Sequence, residues 1–157
     1  MITKLLKHQP LSEFLRVIDT GIHSGNVRPK IFFKDAKPGI TKKLLQGKQI
    51  ERWAIWWDSP SAKFKYCDPT YVPQDNLGTG RGGNKPSKSK EYWTYCRGGD
   101  EKYHYVPERI LMRQTADNIF AAYQNIEEDG QFYTEHTLYP ILKQNADDDR
   151  SLKYFLE

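Results

Sequence analysis

Short apolar runs separated by proline and glycine dominate this sequence and constrain its fold more than any other feature. Each run is too short for an ordinary helix and mixes aromatic with β-branched side chains, which is typical of strands. The predicted strands are L-S-E-F-L-R-V-I at 11–18, K-I-F-F-K at 30–34, W-A-I-W-W at 53–57, K-F-K-Y-C at 63–67, Y-H-Y-V at 103–106, R-I-L-M-R at 109–113, N-I-F-A-A-Y at 118–123, Q-F-Y-T at 131–134 and T-L-Y-P-I-L at 137–142. The pattern indicates a mostly β chain.

Helical signals are sparse by comparison. Residues 39–52 have room for one or two helical turns, and D-D-D-R-S-L-K-Y-F-L-E at 147–157 places acidic capping residues before an apolar i, i+3, i+4 pattern. A helix that stops at Leu156 and Glu157 has little apolar face to bury. We therefore expect an α+β chain with a truncated C-terminal helix, taken from a longer protein.

The length and the cysteines bound the class of protein. The chain has 157 residues, the size of one domain. Its longest apolar runs fall far short of the roughly 20 residues of a membrane helix, and its start lacks a secretory signal, so we expect a cytoplasmic protein. Cys67 and Cys96 form no C-x-x-C pair and are predicted to be buried thiols, with a disulfide as the minor alternative.

Charge is distributed unevenly along the sequence. Residues 1–113 contain 21 Lys and Arg against 11 Asp and Glu, a balance of +10, whereas residues 114–157 contain 3 against 9, a balance of −6. A basic majority favours a polyanionic partner, because each phosphate neutralised by Lys or Arg releases counterions. On charge alone, an ordinary solvated surface is at least as good an explanation.

The basic segment N-L-G-T-G-R-G-G-N-K-P-S-K-S-K at 76–90 is predicted to be a long loop. An insertion without fixed structure and a segment that orders against phosphates and groove edges explain it equally well. Within it, residues 78–83 satisfy G-x-G-x-x-G, but the match follows no apolar strand and opens no helix, so we reject a dinucleotide site.

Catalytic patterns are missing from the sequence. Its histidines, His8, His23, His104 and His136, show no metal-ligand spacing, and no G-x-S-x-G motif occurs. The carboxylates at 127–129 and 147–149 are better explained as solvated loops or helix caps. We expect no catalytic residue and no metal site in this chain.

Three segments, in order, resemble a known family. They are D-T-G-I-H-S-G-N at 19–26, L-L-Q-G-K-Q-I-E-R-W at 44–53 and P-E-R-I-L-M-R-Q-T-A-D at 107–117. Together they look like the TaqI-like specificity domain, the target recognition domain of many amino-adenine DNA methyltransferases and fused restriction-modification enzymes. The likeness spans nearly the whole chain. It implies a twisted, double-β-helix-like body of mostly short strands with few helices.

The resemblance also implies a function and a division of labour. Residues 1–157 would form a single module that recognises a double-stranded DNA sequence for a type II (IIG-like) restriction-modification adenine methyltransferase or endonuclease. Its partners would be duplex DNA and the catalytic domain of the same parent chain. S-adenosylmethionine would bind there, because this chain contains neither the family's glycine motif nor N-P-P-(aromatic). An RNA-binding module and a protein-interaction module using the acidic C-terminal part remain the alternatives.

Candidate DNA-binding residues follow from side-chain chemistry. Base edges are recognised by Arg, Asn and Gln, whereas lysines and other arginines contact phosphates. The predicted base-recognition residues are Arg81, Asn84, Arg113 and Gln114, with Thr115 completing the family's R-x-T motif; the predicted phosphate contacts are Lys48, Arg52, Lys85, Lys88, Lys90 and Arg97. A structural ion pair is an equal alternative for Arg113. The tryptophans Trp53, Trp56, Trp57 and Trp93 are assigned mostly to the core.

Overall fold

The computed structural model describes residues 10–18, 21–72, 91, 93 and 101–156. Within these ranges the chain consists mainly of short strands. The strands are β1 (Leu15–Val17), β2 (Phe32–Phe33), β3 (Lys42–Leu45), β4 (Ile50–Glu51), β5 (Ala54–Ile55), β6 (Tyr66–Cys67), β7 (Glu108–Arg113), β8 (Ala121–Asn125), β9 (Tyr133–Thr134) and β10 (Leu138–Lys143). The α-helices are α1 (Arg28–Ile31) and α2 (Ile126–Asp129), and 3-10 helices span Leu11–Glu13, Gly47–Gln49, Glu101–His104 and Leu152–Phe155. The predicted α+β fold with few helices is confirmed.

The three longest strands, β7, β8 and β10, build an antiparallel sheet with the shorter β1, in the order β1-β10-β7-β8. In its centre Ile110 of β7 pairs with Ile141 of β10 on one side and with Tyr123 of β8 on the other. The turn between β9 and β10 carries the chain into this sheet from a second one, which contains β9. The end of β7 therefore lies next to that turn, where the Gln114 N–H donates to the Thr137 carbonyl at 2.9 Å.

The second sheet has the order β2-β6-β3-β9, and its β3 and β9 strands run parallel. A separate hairpin of β4 and β5 packs against β7 and β8, and the Trp53 N–H donates to the Ala121 carbonyl at 2.8 Å. All three units meet around β3 and the 3-10 turn that follows it.

Leu44 and Leu45 connect the two sheets through their side chains. Consecutive strand residues point to opposite faces, and both leucines are fully buried. One cluster contains Ile22, Val27, Ile31, Phe32, Leu44, Cys67 and Tyr133, and the other contains Leu45, Ile50, Leu111, Ala122, Phe132 and Leu138. Burying each leucine contributes about 2 kcal/mol. The C-terminal half of β3 is thus covered on both faces.

Local predictions vary in accuracy along the chain. The strands expected at 109–113 and 137–142 are confirmed as β7 and β10 with bounds shifted by one residue, whereas the strand expected at 103–106 is wrong, because Glu101–His104 is a 3-10 helix. The turn expected within 39–52 occurs at Gly47–Gln49, but β3 precedes it. Local propensity leaves the secondary structure of such short aromatic or apolar segments ambiguous, and tertiary contacts determine it.

The remaining predicted strands are only partly strand. The segment at 11–18 opens with a 3-10 helix, the segment at 30–34 opens inside α1, and each of the others retains two or three strand residues at shifted bounds. Cys67 is buried and free, as expected, and burial raises the pKa of its thiol. Cys96 lies outside the described residues.

Two of the four tryptophans are exposed rather than buried in the core. Trp53 and Trp56 keep 50% and 51% of their surface accessible. Trp53 occupies the two-residue turn between β4 and β5 with φ of 69°, a left-handed conformation that side chains with a Cβ seldom adopt. Trp57 and Trp93 pack against the two core clusters, so half of the tryptophans, rather than most of them, contribute to the core.

The C-terminal segment forms a short 3-10 helix, Leu152–Phe155, that docks on β7. The Glu108 carboxylate accepts hydrogen bonds from the Leu152 N–H and the Ser151 hydroxyl, both at 3.2 Å. Ser151, rather than an acidic residue, caps the helix by accepting from the Lys153 N–H. No helix in the described ranges combines the length and apolar character needed to cross a bilayer.

Candidate nucleic-acid interface

A cleft of about 360 Å³ opens where the two sheets and the 3-10 turn after β3 meet. We call it the basic cleft. It is lined by Arg28, Gln46, Gly47, Lys48, Ser61, Lys63, Arg113, Gln114, Thr115, Glu135 and Thr137. These residues come from the start of α1, the turn after β3, the loop before β6, the end of β7 and the turn between β9 and β10. The cleft is therefore an assembly of loops and strand ends, the usual place for binding residues.

Buried amides fix the floor of the basic cleft. The Gln46 N–H donates to Gln49 Oε1 at 2.7 Å, and Gln49 Nε2 donates to the Trp57 carbonyl at 2.6 Å. Both glutamines are buried, while Lys48 between them is exposed. Satisfied buried amides of this kind rigidify a turn. The G-K-x-I segment thus holds Lys48 toward solvent on a fixed support.

Gly47 brings this turn close to the next element. Its N–H donates to Thr137 Oγ1 at 2.9 Å, and a Cβ atom at residue 47 would lie 3.2 Å from the Thr137 carbonyl oxygen. That distance is tighter than normal side-chain packing allows without a shift. The glycine therefore lets the backbone approach the β9–β10 turn, and the approach closes one side of the basic cleft.

Arg113 and Gln114 project from the end of β7. The Arg113 guanidinium lies 3.4 Å from Glu51 Oε1 and 4.3 Å from the centre of the Phe120 ring, yet it also lines the cleft. A structural ion pair and a projecting side chain were the two alternatives for Arg113. They are compatible, because the side chain contacts Glu51 and also lines the cleft. The Gln114 side chain is exposed and donates to the Tyr139 hydroxyl at 3.1 Å.

A buried carboxylate lies at the back of the cleft. Glu135 is 1% exposed, its Oε2 accepts from Gln46 Nε2 at 2.6 Å, and its Oε1 lies 2.5 Å from Arg28 Nη1. Within the described residues Oε1 receives no directed hydrogen bond, so its contact with Arg28 is chiefly electrostatic. The His136 ring follows, with Nδ1 3.7 Å from the same oxygen. A buried carboxylate needs such partners, since desolvation is costly.

Positive charge prevails at the lining. Arg28, Lys48, Lys63 and Arg113 face a single lining carboxylate, Glu135, which gives a formal balance of +3. The two lysines are exposed, and the ion-pair contacts of the described residues include neither of them. A concave surface lined by one sign of charge raises the local concentration of the opposite charge. The arrangement suits an anionic ligand with planar polar groups.

Four predicted site residues come together here, namely Lys48, Arg113, Gln114 and Thr115. Arg52 does not line the basic cleft. It lies in the β4–β5 turn, exposed, with its guanidinium carbon 5.6 Å from the centre of the Trp53 ring. The predicted residues Arg81, Asn84, Lys85, Lys88, Lys90 and Arg97 lie outside the described residues.

Sequence patterns did not single out Arg28, Lys63 or Glu135. Arg28 follows the glycine-bearing segment 19–26 by two residues, so extending that motif to the start of α1 would have included it. Glu135 directly follows a short strand, where a carboxylate is normally exposed. Only its contacts with Gln46 and Arg28, which are distant in sequence, reveal its burial.

No protein-family model matches the chain, and no curated protein matches it. Across the described part of the chain, no three His, Cys, Asp or Glu side chains cluster as a metal site requires. The chemistry of the basic cleft therefore provides the basis for assigning a function.

Proposed function

We propose that this chain is the double-stranded DNA recognition module of a type II (IIG-like) restriction-modification adenine methyltransferase or endonuclease. One observation carries the proposal. Lys48, from the G-K-x-I segment, and Arg113, Gln114 and Thr115, from the R-x-T segment, line a single cleft although they are distant in sequence. Both segments belong to the resemblance with TaqI-like specificity domains.

The lining combines the two kinds of group that duplex recognition needs. Exposed lysines neutralise phosphates and position a protein without selecting a sequence. Guanidinium and carboxamide groups form paired hydrogen bonds with guanine and adenine edges in the major groove. The basic cleft offers Lys48 and Lys63 for the first task, and Arg28, Arg113 and Gln114 for the second.

Catalysis would belong to another part of the parent protein. Base methylation requires the adenine to leave the duplex and enter a pocket, which a separate domain with bound S-adenosylmethionine would provide. This chain would hold the duplex and determine which site is presented. The catalytic domain of the same parent chain is then its protein partner.

Single-stranded RNA binding is the second candidate, and the exposed indoles of Trp53 and Trp56 favour it. Stacking on aromatic rings is how many proteins hold unpaired bases. Those rings lie on the β4–β5 hairpin, outside the lining of the basic cleft. The duplex interpretation uses the cleft, whereas the RNA interpretation uses the hairpin.

The two candidates differ in their ligand preference. Fluorescence anisotropy would measure binding of the chain to a labelled duplex of roughly 30 base pairs, to one of its strands and to the matching RNA strand, between about 50 and 200 mM salt. We expect the duplex to bind most tightly. If Lys48 and Lys63 each neutralise one phosphate, a plot of log affinity against log salt concentration should have a slope of about −1.8 or steeper. Absence of salt-dependent duplex binding would overturn the proposal, and tighter RNA binding would favour the alternative.

A further inference from the structure

Arg28 differs from the other cations of the basic cleft in being held on several sides. Its guanidinium carbon lies 5.4 Å from the Phe32 ring centre and 5.2 Å from the Phe64 ring centre, and Nη1 meets Glu135. Yet 36% of the side chain stays exposed, and it lines the cleft. Arginine side chains normally lose considerable rotamer freedom on binding, and much of that freedom is already removed here.

The support behind Arg28 is itself ordered. Gln46 donates from Nε2 to Glu135 Oε2, and Gln46 Oε1 accepts from the Phe64 N–H at 3.1 Å. The same glutamine therefore positions both the carboxylate and the segment that carries one of the two rings. Gln46 and Glu135 are both buried, so their hydrogen bond is shielded from solvent.

Donors remain on the guanidinium after these contacts are made. Arginine has five N–H donors in a planar fork, and the ion-pair contact with Glu135 is made through Nη1. In the described part of the chain, Nε and Nη2 have no protein acceptor. The remaining edge can therefore meet a ligand that presents two acceptors in one plane.

Charge balance separates Arg28 from a phosphate contact. Its positive charge is matched by Glu135, so a phosphate gains less from it than from the exposed side chains of Lys48 and Lys63. A fixed planar fork instead matches O6 and N7 of guanine, the commonest specific contact in the major groove. The neutralised, oriented pair suits selection of a base more than attraction of a backbone.

We propose that Arg28 recognises a guanine in the target duplex, with Glu135 as the positioning residue that orients its guanidinium. This inference rests on the proposed function and adds one G·C pair to the recognised sequence. It assigns different tasks to neighbouring cations of one cleft. Arg28 selects a base, while Lys48 and Lys63 attract the phosphate backbone.

Selection from a duplex library with a randomised central segment tests the assignment. The wild-type chain should enrich a motif with at least one G·C pair. In Arg28→Lys, which keeps the charge, the preference at one G·C position should fall roughly 10- to 100-fold, since lysine lacks the fork. The salt slope should stay unchanged. Lys63→Ala is the matched control. It should keep the motif while making the salt slope shallower by about 0.9.

Glu135→Gln provides an independent readout. Removing the carboxylate leaves Arg28 unneutralised, so duplex affinity at low salt should rise for all sequences and the salt slope should steepen by about 0.9, while the guanine preference weakens. Loss of structural integrity alone would lower affinity instead, and thermal unfolding of each variant monitors it.

Three outcomes overturn the inference. A wild-type motif without guanine, or an unchanged motif in Arg28→Lys, excludes guanine recognition by this residue while leaving duplex binding intact. Absence of any salt-dependent duplex binding by the wild-type chain removes the proposed function together with the inference. The two failures are therefore distinguishable.

Discussion

Gly21 lies so close to Thr134 that a Cβ atom at residue 21 would be 2.1 Å from the Thr134 carbonyl oxygen. The same oxygen accepts a hydrogen bond from the Ile22 N–H at 2.6 Å, and Ile22 bridges to Glu135 in parallel. This contact anchors the segment that leads to Arg28 beside the turn that carries Glu135. The glycine of the first motif thus serves the geometry of the basic cleft.

Gly21→Ala should destabilise the protein by at least about 3 kcal/mol, because the clashing atom is backbone and cannot rotate away. Urea denaturation measures the loss. Gly39→Ala is the control, since Gly39 has φ of 75° and a Cβ atom added there would meet nothing within 4 Å. Its cost should be about 1 kcal/mol from torsional strain alone. Equal losses in the two variants would contradict the close approach at Gly21.

His104 should make stability depend on pH. It is buried, stacks on Tyr133 at 4.7 Å, and its Nδ1 accepts from the Thr134 N–H at 3.3 Å. Burial, with a smaller contribution from the charge of Arg109, lowers the pKa of His104 to about 3, well below its ordinary value near 6.5. The unfolded chain therefore binds a proton between these values that the folded protein does not.

Proton binding to the unfolded chain lowers the stability of the folded protein as pH falls. The contribution of His104 is complete above about pH 6.5 and is lost as pH falls toward about 3, with about 2 kcal/mol lost by about pH 5. Urea denaturation of wild type and His104→Gln at about pH 7 and about pH 5 measures the difference between the two profiles. The variant should lose less stability on acidification, and parallel profiles would show that His104 does not titrate in this way.

Arg109 is a buried cation that is held by one side-chain amide oxygen and two backbone carbonyl oxygens. It is 2% exposed and donates to Gln124 Oε1 at 2.7 Å, to the Tyr103 carbonyl at 3.0 Å and to the Phe132 carbonyl at 2.5 Å. Burial lowers its pKa. Arg109→Lys should cost about 3 to 5 kcal/mol, because one ammonium cannot reach all three oxygens.

Thermal or urea unfolding measures that cost. Arg16→Lys is the matched control, since Arg16 is exposed and its guanidinium carbon lies 5.7 Å from the centre of the Tyr103 ring. That substitution should change the free energy of unfolding by less than about 0.5 kcal/mol. A small effect in both variants would mean that the three hydrogen bonds of Arg109 add little to stability.

Lys48→Ala should weaken duplex binding equally for all sequences, since a phosphate contact carries no base information. The salt slope should become shallower by about 1. Anisotropy titrations over a range of salt concentrations provide both quantities. Lys153→Ala, at an exposed lysine outside the lining, is the control and should leave the slope unchanged. If Lys48→Ala behaves like the control, Lys48 contacts no phosphate.

The sequence predicted the parts of this fold that have long local patterns. The apolar run that forms β7, Glu108–Arg113, and the segment of β10 are long enough to identify as strands. Leu44 and Leu45 show no alternation, because each is buried in a different cluster, and the pattern around β3 allows a helix equally well. A strand covered on both faces lacks the period-two signal.

The candidate site was predictable in the same limited sense. Lys48 and Arg113 followed from motifs and side-chain chemistry, whereas Arg28 and Glu135 did not. Those two residues are brought together by pairing between Ile22 and Glu135, a contact between distant segments that no local pattern encodes. Their pairing and the burial of Glu135 depend on tertiary structure alone.

The central claim is that the basic cleft binds duplex DNA, and a double charge reversal, Lys48→Glu with Lys63→Glu, tests it most directly. Its control is Lys42→Glu with Lys153→Glu, which makes the same charge change at two exposed lysines outside the lining. Anisotropy with the same labelled duplex at about 50 mM salt should show affinity at least roughly 100-fold weaker for the cleft variant than for the control. Equal affinities in the two folded variants would contradict the account.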